Sequence, residues 1–436
     1  MFLSGKQVTI LGAGRSGRAA AALALREGAC VSAWDMAGPE ELQGMPPQVV
    51  LHPNARADDG FAVTSDLLVV SPGIDTYGPY VAAFATHAAE VIGEVELAAR
   101  FYHGLIIGIT GTNGKTTTTE LVSRILGHAG LGGAACGNYG IPFAEIVLQS
   151  EPPATVALEL SSFQLETLRT LHPDVAIWLN FAPDHLDRYP TVEAYLAAKL
   201  RIFENQNGAD TAVVRAGEAL APGAARNVRF STLDESAEWF SDGRSIRHCG
   251  DVVLDLEHDT SLRGLHNAEN VMAAMAACQA FGIALSRMRE ALRGYAPPPH
   301  RCELVRTLDG VEYLNDSKAT NLHALESAMR SQTRPVVLLA GGKDKGLDYS
   351  SVLPLLREKA VACVTFGQIA RPLQELFATA VASQAAVTLA EALGVARSLA
   401  PCGSTVLLSP GTSSFDQFSG YEQRGNTFRD LVNQLR

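Results

Sequence analysis

The chain has 436 residues, too many for a single hydrophobic core, so we expect two or three domains. Hydrophobic residues make up 47% of the chain and charged residues 19%, which is ordinary for a soluble globular protein. The formal net charge of −11 argues against a nucleic-acid partner, because neutralising a phosphate backbone takes clustered Lys and Arg.

Cysteine usage and hydropathy bear on the cellular compartment. The seven cysteines form no C-x-x-C pair, so we expect neither a zinc site nor a disulfide framework, and a reducing cytoplasm is the natural environment. The N-terminal stretch MFLSGKQVTILGAG lacks the apolar segment and the cleavage site of a signal peptide. No run reaches the roughly 18 apolar residues of a membrane span. We therefore expect a cytoplasmic protein with no membrane insertion.

Strand-like apolar runs alternate with helical periodicity along most of the chain. The predicted strands are QVTILG, CVSAWD, LLVVSPG, GLIIGIT, ATVALEL, VAIWLN, TAVV, PVVLLA, VACVTF and TVLLSP, and helical stretches include 16–27, 115–129 and 191–204. This alternation predicts an α/β protein whose modules each contain a mostly parallel sheet with flanking helices. One boundary falls near 93–104 and another at the proline cluster APPPH, 296–300, which gives modules 1–94, 95–298 and 299–436.

The first glycine turn, GAGRSG at 12–17, follows a predicted strand and opens a predicted helix. Its G-x-G-x-x-G spacing lets the backbone approach a diphosphate, which then meets the helix N-terminus. Asp35 ends the next predicted strand about twenty residues on, where a ribose-binding acid is expected. The turn fits NAD and a UDP-sugar alike, and a strand-to-helix turn without a ligand is the third alternative.

The second glycine turn lies in GITGTNGKTT at 108–117. The usual phosphate loop has the spacing G-x-x-x-x-G-K-[ST], but its first glycine would fall at position 109, which is Ile109. The working parts are all present: backbone N–H groups for phosphate oxygens, Lys115 as a point charge, and the Thr116 hydroxyl for Mg²⁺. Two phosphate-type turns in successive modules favour a two-substrate enzyme that uses ATP and a nucleotide-linked substrate.

Polar residues follow predicted strands of the central module. Glu159 ends an apolar strand, where a Mg²⁺ ligand is wanted, although a solvent-facing strand end would explain it if it stood alone. Asp184, His185 and Asp187 follow another strand and suggest a second metal contact or substrate positioning, with a structural histidine as the alternative. The spacing of Lys199 says no more than that it is an exposed helix residue.

Further polar stretches lie toward the C-terminus. Asn267 and Asn270 begin a predicted helix, where either an N-cap or recognition of a base edge would explain them. The stretches HRCELV, NDSKATN, GGKDKGLDYS and SPGTSSFDQF lie near strand ends or turns of the last module. Arg301, in the first of them, could neutralise phosphate, and turn chemistry is the alternative for each stretch. Four such stretches in one module favour a binding face.

Taken together, these stretches resemble the Mur ligase family of peptidoglycan synthesis over essentially the whole chain. The matching motifs are GTNGKTT at 111–117, Glu159, DHLDRY at 184–189, Lys199, HNAEN at 266–270, HR at 300–301 and NDSKATN at 315–321, in the family's order. The stretches LELSSFQLE, DHLDRYP and LSPGTSSFDQFSGYEQRG resemble the branch that adds D-glutamate to UDP-N-acetylmuramoyl-L-alanine. The resemblance implies a Rossmann-like N-terminal domain for the UDP-substrate, a P-loop-like central ATPase domain and a Rossmann-like C-terminal domain for the amino acid.

The resemblance implies an ATP-dependent amide ligase that works through an acyl phosphate in a cytoplasmic step of peptidoglycan precursor synthesis. Its cofactors would be ATP and two Mg²⁺ ions, its partners UDP-N-acetylmuramoyl-L-alanine and D-glutamate, and we expect a monomer. ATP would be held by Gly111, Thr112, Asn113, Gly114, Lys115, Thr116, Thr117, Asn267, Asn270, Arg301, Asp316 and Lys318. The two other substrates would contact Ser16, Asp35, Ser71, Gly73, Asn138, Ser161, His185, Thr320, Lys345, Ser414, Phe415 and Tyr421.

The resemblance also assigns the chemistry. The metal ligands would be Thr116, Glu159, His185 and Lys199, and the catalytic residues Lys115, Glu159, His185 and Lys199. Lys199 would be carbamylated by CO₂, because a carbamate accepts a metal where an ammonium would repel it. Lys345 would pair with a carboxylate of D-glutamate, although GGKDKG also contains Lys343.

Three other functions are alternatives to the one that the resemblance implies. A sister ligase of the same family would add a different amino acid. A nicotinamide-dependent oxidoreductase would use GAGRSG and would have no need of Lys115. A non-catalytic nucleotide-binding protein would turn over no ATP with any acceptor.

Overall fold

The computed structural model describes residues 3–40, 42–185, 188–218, 220, 222–262, 264–296 and 299–436, and of residue 323 the backbone alone. Within these ranges the chain forms three sheets, mostly parallel and flanked by helices, as the sequence predicted. Two of the three prolines in the predicted break, Pro297 and Pro298, lie outside the described residues. Each described helix is too short or too polar to cross a bilayer.

The first sheet occupies the N-terminal part of the chain. Its strands are β1 (Gln7–Leu11), β2 (Cys30–Trp34), β3 (Val50–His52), β4 (Leu67–Val70) and β5 (Val91–Gly93), and its helices are α1 (Arg15–Arg26), α2 (Ala57–Gly60), α3 (Pro79–Ala85) and α4 (Glu94–Ala99). The strands are parallel in the order β3-β2-β1-β4-β5. Successive residues of β4 enter two different buried clusters, one on each face, which is why this strand is a continuous apolar run. Ligands of such sheets bind at the carboxyl ends of the strands.

The second sheet follows it directly. Its strands are β6 (Leu105–Thr110), β7 (Ala134–Gly137), β8 (Thr155–Glu159), β9 (Val175–Trp178), β10 (Thr211–Arg215), β11 (Arg226–Ser231), β12 (Trp239–Ser241), β13 (Ser245–His248) and β14 (Asp251–Asp255). The helices of this stretch are α5 (Lys115–His128), α6 (Phe143–Val147), α7 (Ser162–Leu165), α8 (Val192–Leu200), α9 (Leu256–Asp259), α10 (Leu265–Ala280) and α11 (Leu285–Leu292), with a 3₁₀ turn at Arg201–Phe203. The strand order is β14-β13-β12-β11-β10-β9-β6-β8-β7.

One edge of the second sheet is antiparallel. Strands β12, β13 and β14 pair in antiparallel fashion, whereas β6 to β12 pair in parallel. The hydrophobic pattern of the sequence predicts no strand between β10 and the last module. These edge strands were missed because they are short or interrupted by exposed polar residues, so their hydrophobic signal is weak.

The third sheet occupies the C-terminal part. Its strands are β15 (Glu303–Leu308), β16 (Val311–Asn315), β17 (Val336–Gly341), β18 (Ala360–Phe366), β19 (Ser383–Ala385) and β20 (Thr405–Leu408). Its helices are α12 (Leu322–Arg330), α13 (Leu353–Lys359), α14 (Ala370–Phe377), α15 (Leu389–Leu399) and α16 (Tyr421–Gln434), with a 3₁₀ turn at Tyr349–Val352. The order is β15-β16-β20-β17-β18-β19, parallel except for the β15–β16 hairpin. The residues of β17 are all buried, as expected for a central parallel strand.

The described chain divides into two compact units. The first comprises Met1–Asp259 and Ala268–Arg293 and carries the first two sheets; the second comprises Thr260–Asn267 and Gly294–Arg436 and carries the third. Within the first unit, the buried carboxylate of Glu96 on α4 accepts the backbone N–H groups of residues 169–171 at 2.9–3.0 Å, so it ties the end of the first sheet to the second. The division into domains 1–94, 95–298 and 299–436 stays a prediction.

Candidate functional site

The second glycine turn joins β6 to α5 in a conformation that glycine favours. Gly111 has φ 154° and Gly114 has φ 86°, and a Cβ on Gly114 would lie 2.2 Å from Oδ1 of Asn270. Asn180, directly after β9, closes the turn: its Oδ1 accepts the N–H of Asn113 at 2.9 Å, and its Nδ2 donates to the Asn113 carbonyl at 3.1 Å. The N-cap of α5 is Gly114, which has no side chain that could cap the helix, and the N–H groups at such a helix start are suited to an anion.

Two lysines converge on this turn. Nζ of Lys115 donates to the carbonyls of Gly111 and Thr112 at 2.8 and 2.9 Å, and Nζ of Lys199 donates to the same Gly111 carbonyl at 2.8 Å. Lys199 is 1% exposed, so it is not the surface residue that its helical spacing alone suggested. Burial, and then the positive charge of Lys115, lowers the pKa of Lys199 well below its usual value. The low pKa favours a neutral, nucleophilic amine beside the phosphate loop.

Glu159 lies at the carboxyl end of β8 with 2% exposure. Its Oε1 accepts from Nδ2 of Asn138 at 2.7 Å, and its backbone carbonyl accepts the Asn138 N–H at 2.9 Å. Its Oε2 is buried and has no hydrogen-bond partner among the described atoms. A buried carboxylate oxygen without a donor is costly unless a cation or a proton compensates it.

Aromatic rings link His185 to Lys199. The His185 ring lies 4.9 Å from the Phe163 ring and 5.9 Å from the Tyr195 ring, measured between centroids. Nζ of Lys199 lies 4.9 Å from the centroid of Tyr195, whose hydroxyl is 3.4 Å from the Thr112 hydroxyl. The structure therefore brings His185 and Lys199 to one aromatic cluster beside the phosphate loop.

The donor types fit magnesium in part. The unsatisfied Oε2 of Glu159 and the hydroxyl of Thr116 are oxygen ligands of the kind that Mg²⁺ prefers. Lys199 fits as a carbamate and not as an ammonium, which would repel the ion. The described part of the chain contains no cluster of three or more His, Cys, Asp or Glu side chains suited to a metal, and Asp187 lies outside it.

The remaining predicted nucleotide contacts of this region lie on α5 and α10. Thr116 and Thr117 lie buried in the first turn of α5, and Oδ1 of Asn270 accepts from the Thr118 hydroxyl at 3.4 Å. Asn267 is also buried, and its N–H donates to Gly264 at 3.1 Å in the second compact unit. The Asn270 side chain therefore contacts α5, the helix that the glycine turn opens.

The first glycine turn is braced by the residues predicted to bind the UDP-substrate. Oδ2 of Asp35 accepts the Ala13 N–H at 2.7 Å, and the Ser71 hydroxyl donates to the Gly12 carbonyl at 3.2 Å. A Cβ on Gly17 would lie 1.9 Å from the Gly12 carbonyl oxygen, so a side chain there would break the turn. Asp35 in this structure holds the loop itself, which its sequence spacing could not reveal.

Three further predicted substrate contacts lie at or near loop positions of the first unit. Ser16 is half-buried in the first turn of α1, and Gly73 is exposed in the turn after β4, with nothing within 4 Å of the place of a Cβ. Ser161 caps α7, where its hydroxyl accepts the Gln164 N–H at 3.3 Å in a capping box. Its hydroxyl thus has a local structural role.

Five predicted amino-acid contacts line one cavity in the second unit. The cavity has a volume of about 520 Å³, and its lining includes Thr320, Lys345, Ser414, Phe415 and Tyr421. Lys343 lines it as well, so both lysines of GGKDKG reach the same space. The lining carries both acids and lysines, which suits a zwitterionic amino acid.

Asp316, Lys318 and Arg301 also belong to the second unit. Burial raises the pKa of Asp316 to about 7, although the Ser409 hydroxyl donates to its Oδ2 at 2.9 Å. Nζ of Lys318 lies 3.8 Å from the centroid of the Tyr421 ring, a cation–π contact at the edge of the cavity. Arg301 is half-buried after the left-handed His300.

Arg424 was missed by the sequence analysis. It is fully buried in α16, where its guanidinium donates to the hydroxyl and carbonyl of Ser317 at 2.9 and 2.8 Å and to the Thr412 carbonyl at 3.2 Å. Burial lowers its pKa to about 10. It thereby fixes two loops that border the cavity. Its motif, SGYEQRG, was noted, but a buried arginine cannot be told from a surface one by spacing.

A lysine-bearing phosphate loop beside a buried, unsatisfied carboxylate is typical of enzymes that transfer a phosphoryl group. Comparison with known proteins agrees: residues 109–278 match the Mur ligase middle domain, and residues 6–93 match the MurD-like N-terminal domain of Mur ligases. The chain belongs to the Mur ligase family, as the sequence predicted.

Full-length relatives narrow the family further. The chain is 40% identical over 450 residues to the UDP-N-acetylmuramoylalanine–D-glutamate ligase of Geobacter metallireducens, with 100% of the chain and 99% of that protein covered. It is 40% identical over 453 residues to the ligase of the same name from Myxococcus xanthus, with both chains covered entirely. The structure of MurC from Thermotoga maritima, a UDP-N-acetylmuramate–alanine ligase, has the same fold, with a TM-score of 0.63 at 18% identity over 98% of this chain and 99% of that one.

Proposed function

We propose that this protein is the ATP-dependent ligase that adds D-glutamate to UDP-N-acetylmuramoyl-L-alanine in peptidoglycan precursor synthesis. The observation that carries the proposal is the match, over the whole chain at about 40% identity, to several ligases of that name. The cavity in the second unit supports it, because an amino acid must be bound as well as a nucleotide. The enzyme works in the cytoplasm as a monomer with three domains, 1–94, 95–298 and 299–436.

The phosphate loop activates the substrate carboxylate. The N–H groups at the start of α5 receive the ATP phosphates, and Lys115 turns from the loop carbonyls that it contacts here toward the γ-phosphate. A carboxylate oxygen of the substrate's L-alanine attacks the γ-phosphorus and ADP leaves, which forms an acyl phosphate. Both reactants are anionic, so the positive charge of Lys115 is needed to spread the charge that develops on the phosphoryl group.

Thr116, Glu159, His185 and a carbamylated Lys199 would hold the two Mg²⁺ ions. When bound, the ions supply charge neutralisation between the ATP phosphates and the substrate carboxylate. The neutral amine of Lys199 would attack the carbon of CO₂ and release one proton to solvent, which converts an uncharged amine into an anionic carbamate. Asn138 holds Oε1 of Glu159 in place, so the buried Oε2 would be the oxygen that accepts a cation.

The second half-reaction forms the amide bond. The amine of D-glutamate attacks the acyl carbon, and phosphate leaves from the tetrahedral intermediate. Thr320, Lys345, Ser414, Phe415 and Tyr421 receive D-glutamate, with Lys345 paired to one of its carboxylates. Asn267, Arg301, Asp316 and Lys318 are the residues of the second unit that the family resemblance assigns to ATP.

The first sheet binds the UDP-substrate. The Gly12–Gly17 turn approaches the diphosphate, with Ser16, Asp35, Ser71, Gly73, Asn138 and Ser161 around it. In this role Asp35 acts by shaping the turn through Ala13, as well as by reaching toward the nucleoside.

The test is an ATP-dependent assay of purified protein with UDP-N-acetylmuramoyl-L-alanine and a panel of amino acids. Phosphate release with D-glutamate, and little with L-glutamate, is the expected outcome. Maximal turnover with L-alanine or with a diamino acid would identify a sister ligase instead. Turnover that consumes NADH and survives Lys115→Ala would point to an oxidoreductase.

A further inference from the structure

Arg188 joins the first sheet's substrate loop to the second sheet. The loop after β4, residues 71–78, contains neither helix nor strand. The Arg188 guanidinium donates to the carbonyls of Pro72 at 3.1 Å and Ile74 at 2.9 Å, and its Nη2 lies 3.3 Å from the Thr76 hydroxyl. These contacts span more than one hundred positions of sequence within one compact unit.

The other side of Arg188 is anchored in the second sheet. Its Nη2 lies 3.3 Å from Oε2 of Glu166, whose side chain is 1% exposed and whose Oε1 accepts from the Tyr189 hydroxyl. Its guanidinium carbon lies 4.1 Å from the centroid of Phe163. The Phe163 ring in turn packs edge-on against His185. The arginine is therefore held rigidly by a buried anion and an aromatic face.

The loop that Arg188 holds is also the support of the glycine turn. Ser71 begins this loop and donates to the Gly12 carbonyl, and Gly73 lies between the two carbonyls that Arg188 binds. A loop of this kind, without helix or strand, would move freely if it were not tied down. Its position thus depends on a side chain that belongs to the second sheet.

We propose that Arg188 is a positioning residue that holds the 71–76 loop in the shape that receives the UDP-substrate. The proposal rests on the proposed function. A planar guanidinium suits this task, because it binds several acceptors in fixed directions at once, and a lysine ammonium does not.

The test compares the full-length enzyme with its Arg188→Lys variant. Lysine keeps a positive charge opposite Glu166, so folding should be retained, but its single nitrogen cannot replace the two guanidinium nitrogens that reach Pro72 and Ile74 in fixed directions while also facing Glu166. We expect KM for UDP-N-acetylmuramoyl-L-alanine to rise about tenfold or more, with kcat and the KM values for ATP and D-glutamate changed by less than about threefold. Hydrogen–deuterium exchange in 71–78 should become about tenfold faster without any substrate.

Arg201→Lys is the matched control. Arg201 donates to the backbone carbonyls of Glu166 and Leu168 in the same region, so its loss tests a general structural effect. This variant should keep the wild-type KM for the UDP-substrate and wild-type exchange in 71–78. If Arg188→Lys does not fold, Arg188→Ala combined with Glu166→Gln removes the stranded carboxylate and should show the same rise in KM.

Two outcomes overturn the proposal. One is a folded Arg188 variant with wild-type KM for the UDP-substrate and unchanged exchange in 71–78. The other is an equal rise in KM for Arg201→Lys, which would mean that any loosening of this region has the same effect. If the wild-type enzyme did not use the UDP-substrate at all, the proposed function would be wrong. The exchange measurement would still show whether Arg188 holds the 71–76 loop.

Discussion

Glu94 should make the first compact unit less stable as the pH rises through neutrality. This residue begins α4 and is 2% exposed; its Oε1 accepts the Ala144 N–H at 2.6 Å, while its Oε2 is buried without a partner among the described atoms. Burial, and then the nearby Glu145 carboxylate, raises the pKa of Glu94 from an ordinary 4.5 to about 7. A rise of that size corresponds to about 3 kcal/mol between the charged and the neutral forms.

The direction in which the free energy of unfolding changes with pH follows from where the proton is bound. Between pH 4.5 and 7 the folded protein keeps the Glu94 proton and the unfolded chain loses it, so the free energy of unfolding falls as pH rises. The contribution is fully present below 4.5 and is lost above about 7, and about 2 kcal/mol of the loss falls between pH 5.5 and 8. The Glu94→Gln variant cannot ionise at this position, so its free energy of unfolding should not show this loss.

Urea unfolding at pH 5.5 and pH 8 measures the effect. The three tryptophans, at 34, 178 and 239, all lie in the first unit, so their fluorescence reports the part of the chain that contains Glu94. The free energy of unfolding of the wild type should fall by about 2 kcal/mol more than that of Glu94→Gln between pH 5.5 and pH 8. Glu151→Gln, which removes an exposed carboxylate of the same unit, is the control and should keep the pH dependence of the wild type. A wild-type-minus-Glu94→Gln difference that does not vary with pH would refute the reasoning.

Three further predictions concern the binding sites. Gly114→Ala should raise the KM for ATP at least about tenfold, because alanine at φ 86° costs about 1–2 kcal/mol and its Cβ would displace Asn270; an unchanged KM would contradict this. Arg424→Met should destabilise the second unit by about 2–4 kcal/mol in thermal unfolding, because the carbonyls it binds lose their donor; a wild-type melting temperature would contradict this. Lys345→Ala should raise the KM for D-glutamate about tenfold and Lys343→Ala less than about threefold, and the reverse order would reassign the carboxylate partner.

The sequence predicted the parts of the fold that have strong local patterns. All ten predicted strands are present, since most of each is an apolar run. The predicted helix 16–27 is shifted by one residue from α1, the helix 115–129 ends one residue beyond α5, and 191–204 covers α8 and the 3₁₀ turn after it. The phosphate loop was also predictable, because its glycines and lysine are consecutive in the chain. The edge strands β12 to β14 were not predicted, because their pairing, rather than their hydrophobicity, defines them.

Contacts between distant segments could not be predicted from the sequence. The burial of Lys199 against the Gly111 carbonyl depends on a helix 88 positions away. The carboxylate of Asp35 was expected to face a ligand, but it also binds the loop N–H of Ala13. Arg188 and Arg424 have ordinary helical or turn spacing, and only their surroundings distinguish them from surface arginines.

The central claim is that the alanine carboxylate is converted to an acyl phosphate, and the most direct test traces one carboxylate oxygen into the released phosphate. UDP-N-acetylmuramoyl-L-alanine labelled with ¹⁸O in the alanine carboxylate is incubated with ATP, D-glutamate and the enzyme, and the released phosphate is analysed by mass spectrometry. Attack of that carboxylate on the γ-phosphorus predicts one ¹⁸O atom in each phosphate and none in ADP. Unlabelled phosphate from a reaction that still forms the amide would show that no acyl phosphate is made at the Lys115 loop.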